Sequence, residues 1–151
     1  TRRLGQMTTR RDPTEGVRTE GVQMERTQAA EPSGFARLVY KDDRGTHTFL
    51  MTKDEIVIGR QAPDVWADLS LGTSLDVSRE HARLQRTPEG GFRIKDLSKL
   101  GTTVNGSPLP RSLEPTDGGV RDLDRWEPLP DRARIGLAGV IYLDFERLAK
   151  A

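Results

Sequence analysis

The chain reads as an all-β protein: two β-sheets packed as a sandwich, preceded by a segment that carries no core. Three observations predict this. From Phe35 onward, short apolar runs recur at regular spacing with turn residues between them. No stretch of that region shows a helical period with caps. Residues 1–33 hold too few apolar residues to bury a face.

That first segment contains six Arg and five acidic residues without period, and no aromatic residue. Leu4, Met7, Val17, Val22 and Met24 are too sparse to offset the entropy of ordering, so it is expected to stay disordered unless a partner orders it. It carries a short repeat, "TEGV" at 14–17 and again at 19–22. The sandwich then takes residues 34–151. "FARLVYKD" (35–42) alternates apolar and polar positions, and "RGTHTFLMT" (44–52) and "EIVIGR" (55–60) follow across tight turns. "HARLQRT" (81–87), "PEGG" and "FRIKDL" (92–97) form a hairpin. "TTVNGSPL" (102–109) forms another around Asn105-Gly106, a strong hairpin signal. "RSLEPTDGGVRDLDRW" (111–126) is long and polar and reads as a loop leaving the sandwich. "ARIGLAG" (133–139) and "VIYLDFE" (140–146) supply the last strand pair.

Composition excludes several function classes. The chain of 151 residues is one domain plus a tail. A net charge of +1 does not indicate a broad nucleic-acid surface. The absence of Cys removes disulfides, zinc–thiolate clusters and thiol chemistry. No apolar run approaches a membrane span, and the first residues lack the apolar region of a signal peptide. The expectation is a soluble cytoplasmic protein without cofactor or metal. The chain opens on Thr1 rather than Met, as a fragment or a processed chain does.

Three short motifs carry the chemistry. Gly59-Arg60 ends an apolar strand; Gly permits close backbone approach, and Arg offers a planar fork matched to phosphate or carboxylate oxygens. "SREH" (78–81) offers the Ser78 hydroxyl and a second cation, Arg79. Ser78 and His81 do not read as a nucleophile and base, because no orienting carboxylate or oxyanion hole accompanies them. His81 is expected to face inward and fix the loop. "DLSKLGTTVNG" (96–106) places Ser98 and Lys99 on a turn closed by Gly101. Alone, each motif is ordinary: a strand-end Gly-Arg is common, and a turn Lys is usually solvated.

Taken in this order and with these separations, the motifs resemble those of the forkhead-associated (FHA) family. Its pattern is Gly-Arg, then Ser-Arg-x-His, then Asp-x-Ser-x-x-Gly-Thr-x-Val-Asn-Gly. The resemblance implies a sandwich of about eleven strands that binds phosphothreonine peptides at one end and catalyses nothing. It implies that Arg60 and Ser78 contact the phosphate, that Arg79 contacts the phosphopeptide, and that Lys99 lies near the phosphate. Gly59, His81, Gly101 and Asn105 match positions that support the site. Asp76, in the loop before Ser78, matches a position that helps choose the third residue after the phosphothreonine. Leu100 departs from the family, since many members carry there an Asn that hydrogen-bonds the peptide backbone. The segment between Arg60 and Ser78, with Trp66, is longer than usual and is expected to reshape one wall of the site.

The partner implied is a phosphothreonine-containing protein, a Ser/Thr kinase or its substrate, rather than nucleic acid or membrane. The tail offers a partner of its own. Thr14 and Thr19 each have Val three residues on, and Thr14 follows Arg10 and Arg11 as basophilic kinases favour. Once phosphorylated, either is expected to fit the chain's own site in cis or in a neighbouring molecule. The alternative reading is a phosphate-independent scaffold or oligomerisation domain of the same fold, which Leu100 favours and Arg60 and Ser78 oppose.

Overall fold

The computed structural model describes residues 34–148. The expected disorder of the tail, with Thr14 and Thr19, lies outside these residues. Thirteen strands follow one another: β1 (Ala36–Asp42), β2 (Gly45–Met51), β3 (Glu55–Arg60), β4 (Leu69–Leu71), β5 (Ala82–Arg86), β6 (Phe92–Asp96) and β7 (Thr102–Val104). After them come β8 (Ser107–Pro108), β9 (Leu113–Thr116), β10 (Gly119–Asp122), β11 (Trp126–Leu129), β12 (Arg132–Leu137) and β13 (Ile141–Arg147). One sheet has the order β2-β1-β13-β12-β7-β8 and the other β11-β6-β5-β3-β4, while β9 and β10 pair only with each other. The two large sheets thus hold the eleven expected strands.

Alternation builds the core. In β13, Ile141, Leu143 and Phe145 are buried while Tyr142 and Asp144 face solvent. In β1, Ala36 and Leu38 point inward with Arg37 exposed between them. Ile56, Ile58, Leu84 and Ile94 supply the facing sheet, and Phe92 meets Phe145 edge-on at 5.1 Å between ring centroids. Two hairpins close with both central residues at positive φ, Asn105 (51°) with Gly106 (86°) and Ala138 (54°) with Gly139 (70°). This mirror-image turn matches the twist of the strands it joins.

Three segments differ from the sequence reading. Residues 113–122 are strands, not loop. Their hairpin turns at Asp117–Gly118, and its polar sequence hides the strands because no large sheet flanks it. β4 is only three residues long and runs parallel to β3 at the sheet edge, too short to alternate visibly. β11 contains Pro128, a residue that argues against a strand. It forms here because β11 is an edge, where a missing N–H costs no ladder bond.

What holds the hairpin is a buried lysine. Lys95, on the outer face of β6, donates to Asp122 at 2.7 Å and Asp124 at 2.9 Å, with the Trp126 ring 4.7 Å away. Burial alone would lower the Lys95 pKa, but the two carboxylates outweigh it and hold it above the ordinary lysine value. Burial likewise pushes Asp122 up, yet the Lys95 and Ser112 hydrogen bonds bring it down to about 2. A folded-state pKa below the unfolded one adds stability above about pH 4, lost as pH falls toward 2. Lys95→Met is expected to cost about 1–2 kcal/mol at neutral pH, since the carboxylates it leaves behind can still reach water. It is also expected to flatten the acid limb of the stability curve between pH 4 and 2. Urea titrations across that range check both effects.

Candidate functional site

The loops that follow β3, β4 and β6 meet the β9–β10 hairpin around an open cleft of about 860 Å³. Arg60, Asp76, Ser78, Arg79, Lys99 and Leu100 all line it. The motifs separated in sequence therefore converge, and the convergence has a specific cause in the buried ring of His81.

His81 is fully buried immediately before β5, facing inward as expected. Its Nδ1 accepts the Ser78 N–H at 3.0 Å, and its Nε2 lies 2.9 Å from the Gly101 carbonyl oxygen. A carbonyl only accepts, so the ring carries its proton on Nε2. Its backbone N–H donates to Ile58 in β3, and its carbonyl accepts from Leu97. One residue thus ties together strand β3, the Ser78 loop and the 97–101 turn. Burial lowers the His81 pKa, and the Gly101 bond only partly opposes this, so the neutral ring is the state that folds.

The 96–102 turn has its own centre. Asp96 Oδ1 accepts the Ser98 N–H at 3.0 Å, the Ser98 hydroxyl at 2.6 Å and the Thr102 hydroxyl at 2.8 Å. Ser98 Oγ in turn accepts the Gly101 N–H at 2.7 Å, and Gly101 sits at φ 102°, a conformation suited to glycine. Asp96 and Ser98 are both buried, so they shape the turn rather than meet a ligand. The turn leaves Lys99 and Leu100 exposed at its tip.

Gly59 is there for close approach. A Cβ at this position would overlap the backbone carbonyl oxygen of Arg79 and lie 3.1 Å from that of Ser78. With no side chain in the way, the Arg60 N–H donates to the Ser78 carbonyl at 3.0 Å. The Arg60 side chain then folds along the same loop, its Nε donating to the Val77 carbonyl at 2.9 Å. That bond fixes the guanidinium plane, and among the described residues no carboxylate pairs with it. The Ser78 hydroxyl accepts the Lys99 N–H at 3.2 Å, which leaves its own proton to donate.

Arg79 is less free than its motif implies. Its Nη1 pairs with Asp64 Oδ2 at 2.8 Å across the cleft mouth. Both partners are well exposed, and such pairs are worth about 0–1 kcal/mol, so an anionic ligand can displace Asp64. Asp76 is exposed on the wall formed by the loop before Ser78. Trp66 does not shape the cleft; it stands exposed with Lys53 at 5.0 Å from its ring, and Ala62 to Val65 form that wall instead. Asn105 does not line the cleft either. Its N–H and Oδ1 engage the carbonyl and N–H of Arg134, each at 2.8 Å, pinning the β7–β8 hairpin to β12.

Sequence reasoning missed Arg111, whose Nη2 donates to the Lys99 carbonyl at 2.6 Å and ties the hairpin root to the turn. No motif announces it. Asp96, by contrast, was visible as the first letter of the third motif and lacked only a role. With Arg111 included, four cations and the carboxylates of Asp64, Asp76 and Glu80 line the cleft. The mixed charges give the cleft no broad positive field, so an anion entering it would have to be held by contact geometry.

Residues 56–120 match the family model of the FHA domain. Over this stretch the chain is similar to an FHA domain. The match begins in β3 and ends in the β9–β10 hairpin, so it spans the cleft loops and omits the strands that complete the six-stranded sheet. Solved FHA structures supply the same fold over a longer stretch. An FHA domain of an Arabidopsis thaliana hypothetical protein aligns with TM-score 0.58 at 20% identity, over 82% of this chain and 98% of its own. The N-terminal FHA domain of RAD53P from S. cerevisiae, in complex with a phosphothreonine peptide, aligns with TM-score 0.58 at 15% identity, over 76% of this chain and 94% of its own. The FHA domain of the CT664 protein from Chlamydia trachomatis aligns with TM-score 0.54 at 21% identity, over 77% and 100%. No curated protein matches the sequence.

Proposed function

We propose that the chain carries an FHA domain and is a phosphothreonine-peptide-binding module, not an enzyme, that recruits a phosphorylated partner in cytoplasmic Ser/Thr kinase signalling. The observation that carries the reading is the arrangement of Arg60, Ser78 and Lys99 in one cleft. The Arg60 fork is held by Val77 and, among the described residues, unmatched by a carboxylate, beside a hydroxyl and an amine that line the same cleft. A phosphothreonine brings about −1.5 to −2 charges and three acceptor oxygens to such a set. Charge-assisted bonds of this type are worth about 1.5–3 kcal/mol each, so two or three of them suffice for micromolar binding. The phosphothreonine peptide bound by the RAD53P domain of the same fold supports the reading.

Calorimetry with one peptide in phosphorylated and unphosphorylated forms tests it; equal affinities would leave only the phosphate-independent scaffold, which the exposed apolar Leu100 favours. Phosphothreonine is expected to bind several-fold tighter than phosphoserine in the same peptide, the worth of about one buried methyl group. Asp76 is expected to disfavour Asp at the third position after the phosphothreonine, relative to Val or Ile.

The tail extends the proposal to self-regulation. Phosphorylated Thr14 or Thr19 occupies the cleft and excludes outside peptides. About 14 residues separate Thr19 from Ser33, and an extended chain covers roughly 46 Å over that length. That reach allows closure in cis, with an effective concentration near millimolar. Phosphorylating the tail is expected to shift the NMR signals of the loops at Arg60, Ser78 and Lys99, and to weaken binding of an external phosphopeptide. The Thr14→Ala/Thr19→Ala double variant should show neither effect. Unchanged loops and affinity in the phosphorylated chain defeat the switch.

A further inference from the structure

We propose that the β9–β10 hairpin and Leu100 form a second grip on the bound peptide, holding one aliphatic side chain close to the phosphothreonine. The inference rests on the phosphopeptide reading above and names what that peptide must carry. Six large apolar side chains stand exposed among the described residues, and three of them, Leu75, Leu100 and Val120, line this single cleft. Isolated exposed apolar residues are ordinary, whereas a cluster bordering a charged site marks a binding surface.

The hairpin is two-faced by register. Val120 opposes Pro115, and Leu113 lies two residues before Pro115 on the same side of the ladder; all three line the cleft. Arg121 opposes Glu114 on the other side, where they form an ion pair at 3.1 Å. A free two-stranded hairpin is marginal in water. This one is anchored at its root by Arg111 on the Lys99 carbonyl, by Ser112 on Asp122 and by the Lys95 pairs. Its apolar face therefore borders the same cleft as the turn that presents Lys99 and Leu100. Continuity with the phosphate-facing groups identifies the occupant as part of the same peptide. At position 100 an apolar contact replaces the backbone hydrogen bond that an Asn supplies in many relatives.

The test is calorimetry on phosphothreonine peptides with an all-alanine background, Leu being placed singly at each of the three positions on either side. One position is expected to bind roughly tenfold tighter than the all-alanine peptide, the worth of about two buried methylene groups. In Val120→Ser and in Leu100→Asn that ratio should fall toward one, with thermal melts confirming that both variants fold. No gain above twofold at any position, or a gain that both variants keep, overturns the grip. Failure of the phosphate reading looks different: the phosphorylated and unphosphorylated Leu peptides would then bind alike, and a Leu gain that disappears in Val120→Ser would leave an apolar site without a phosphate partner.

Discussion

Arg60→Ala is expected to weaken phosphothreonine-peptide binding by about 2–5 kcal/mol, the cost of removing one partner from a well-formed charge pair. In affinity that is roughly thirtyfold at least, and at micromolar starting strength it amounts to abolition. The Arg60 side chain also has a duty within the loop. Its Nε also donates to the Val77 carbonyl, so the variant leaves that oxygen without a partner. A stability loss of about 0.5–1.5 kcal/mol should accompany the binding loss. Arg60→Lys separates the two roles. A lysine keeps the charge but cannot hold Val77 and present a planar fork together, so an intermediate affinity is expected. Calorimetry and thermal denaturation on the three proteins decide the matter. A folded Arg60→Ala variant with an unchanged dissociation constant would falsify the placement of the phosphate.

Gly59→Ala is expected to have the largest effect on the fold of any single-methyl change in this protein. The added Cβ would meet backbone, the Arg79 carbonyl and then the Ser78 carbonyl, rather than a side chain that can rotate away. β3 is hydrogen-bonded on both sides, to β4 and to β5, so it cannot retreat. The strain must therefore move the Ser78 loop, stretching the Arg60–Ser78 and His81–Ile58 backbone bonds at once. A cost of about 3 kcal/mol or more is expected, seen as a melting temperature lower by at least about 10 °C. Phosphopeptide binding should fail with it, even at temperatures where the variant is still folded. An alanine variant that melts with the parent and binds normally would show that the strand and loop are not in contact there.

The fold was legible wherever one face of a strand is buried. β1, β5, β6, β12 and β13 each pair an inward apolar set with an outward polar one, and that contrast is what a sequence displays. It fails at β4 and β11, edge strands too short or too proline-bearing to show it. It fails again at β9–β10, where solvent and cleft replace a facing sheet. The site was legible in its motifs because backbone demands are residue-specific: a Gly where two chains touch, a His where two loops need one donor and one acceptor. Pairings made by long side chains were not legible. Asp64 with Arg79, Arg111 with Lys99 and Lys95 with two aspartates join residues 12 to 29 positions apart, and many other charges in the sequence offered equal partners.

The single imidazole that joins strand β3, the Ser78 loop and the 97–101 turn divides the cleft residues into two populations with different freedom to vary. Gly59 sets the approach of β3 to the Ser78 loop, Asp96, Ser98 and Gly101 set the 97–101 turn, and His81 couples the two, so altering it disturbs both at once. Asp76, Lys99, Leu100 and Val120 line the cleft, and among the described residues their side chains make no hydrogen bond or ion pair. If the proposed peptide binding holds, redirecting it is a problem in four outward-facing positions, each adjustable without renegotiating the frame, and duplicated copies of such a domain could diverge in target while their architecture stays fixed.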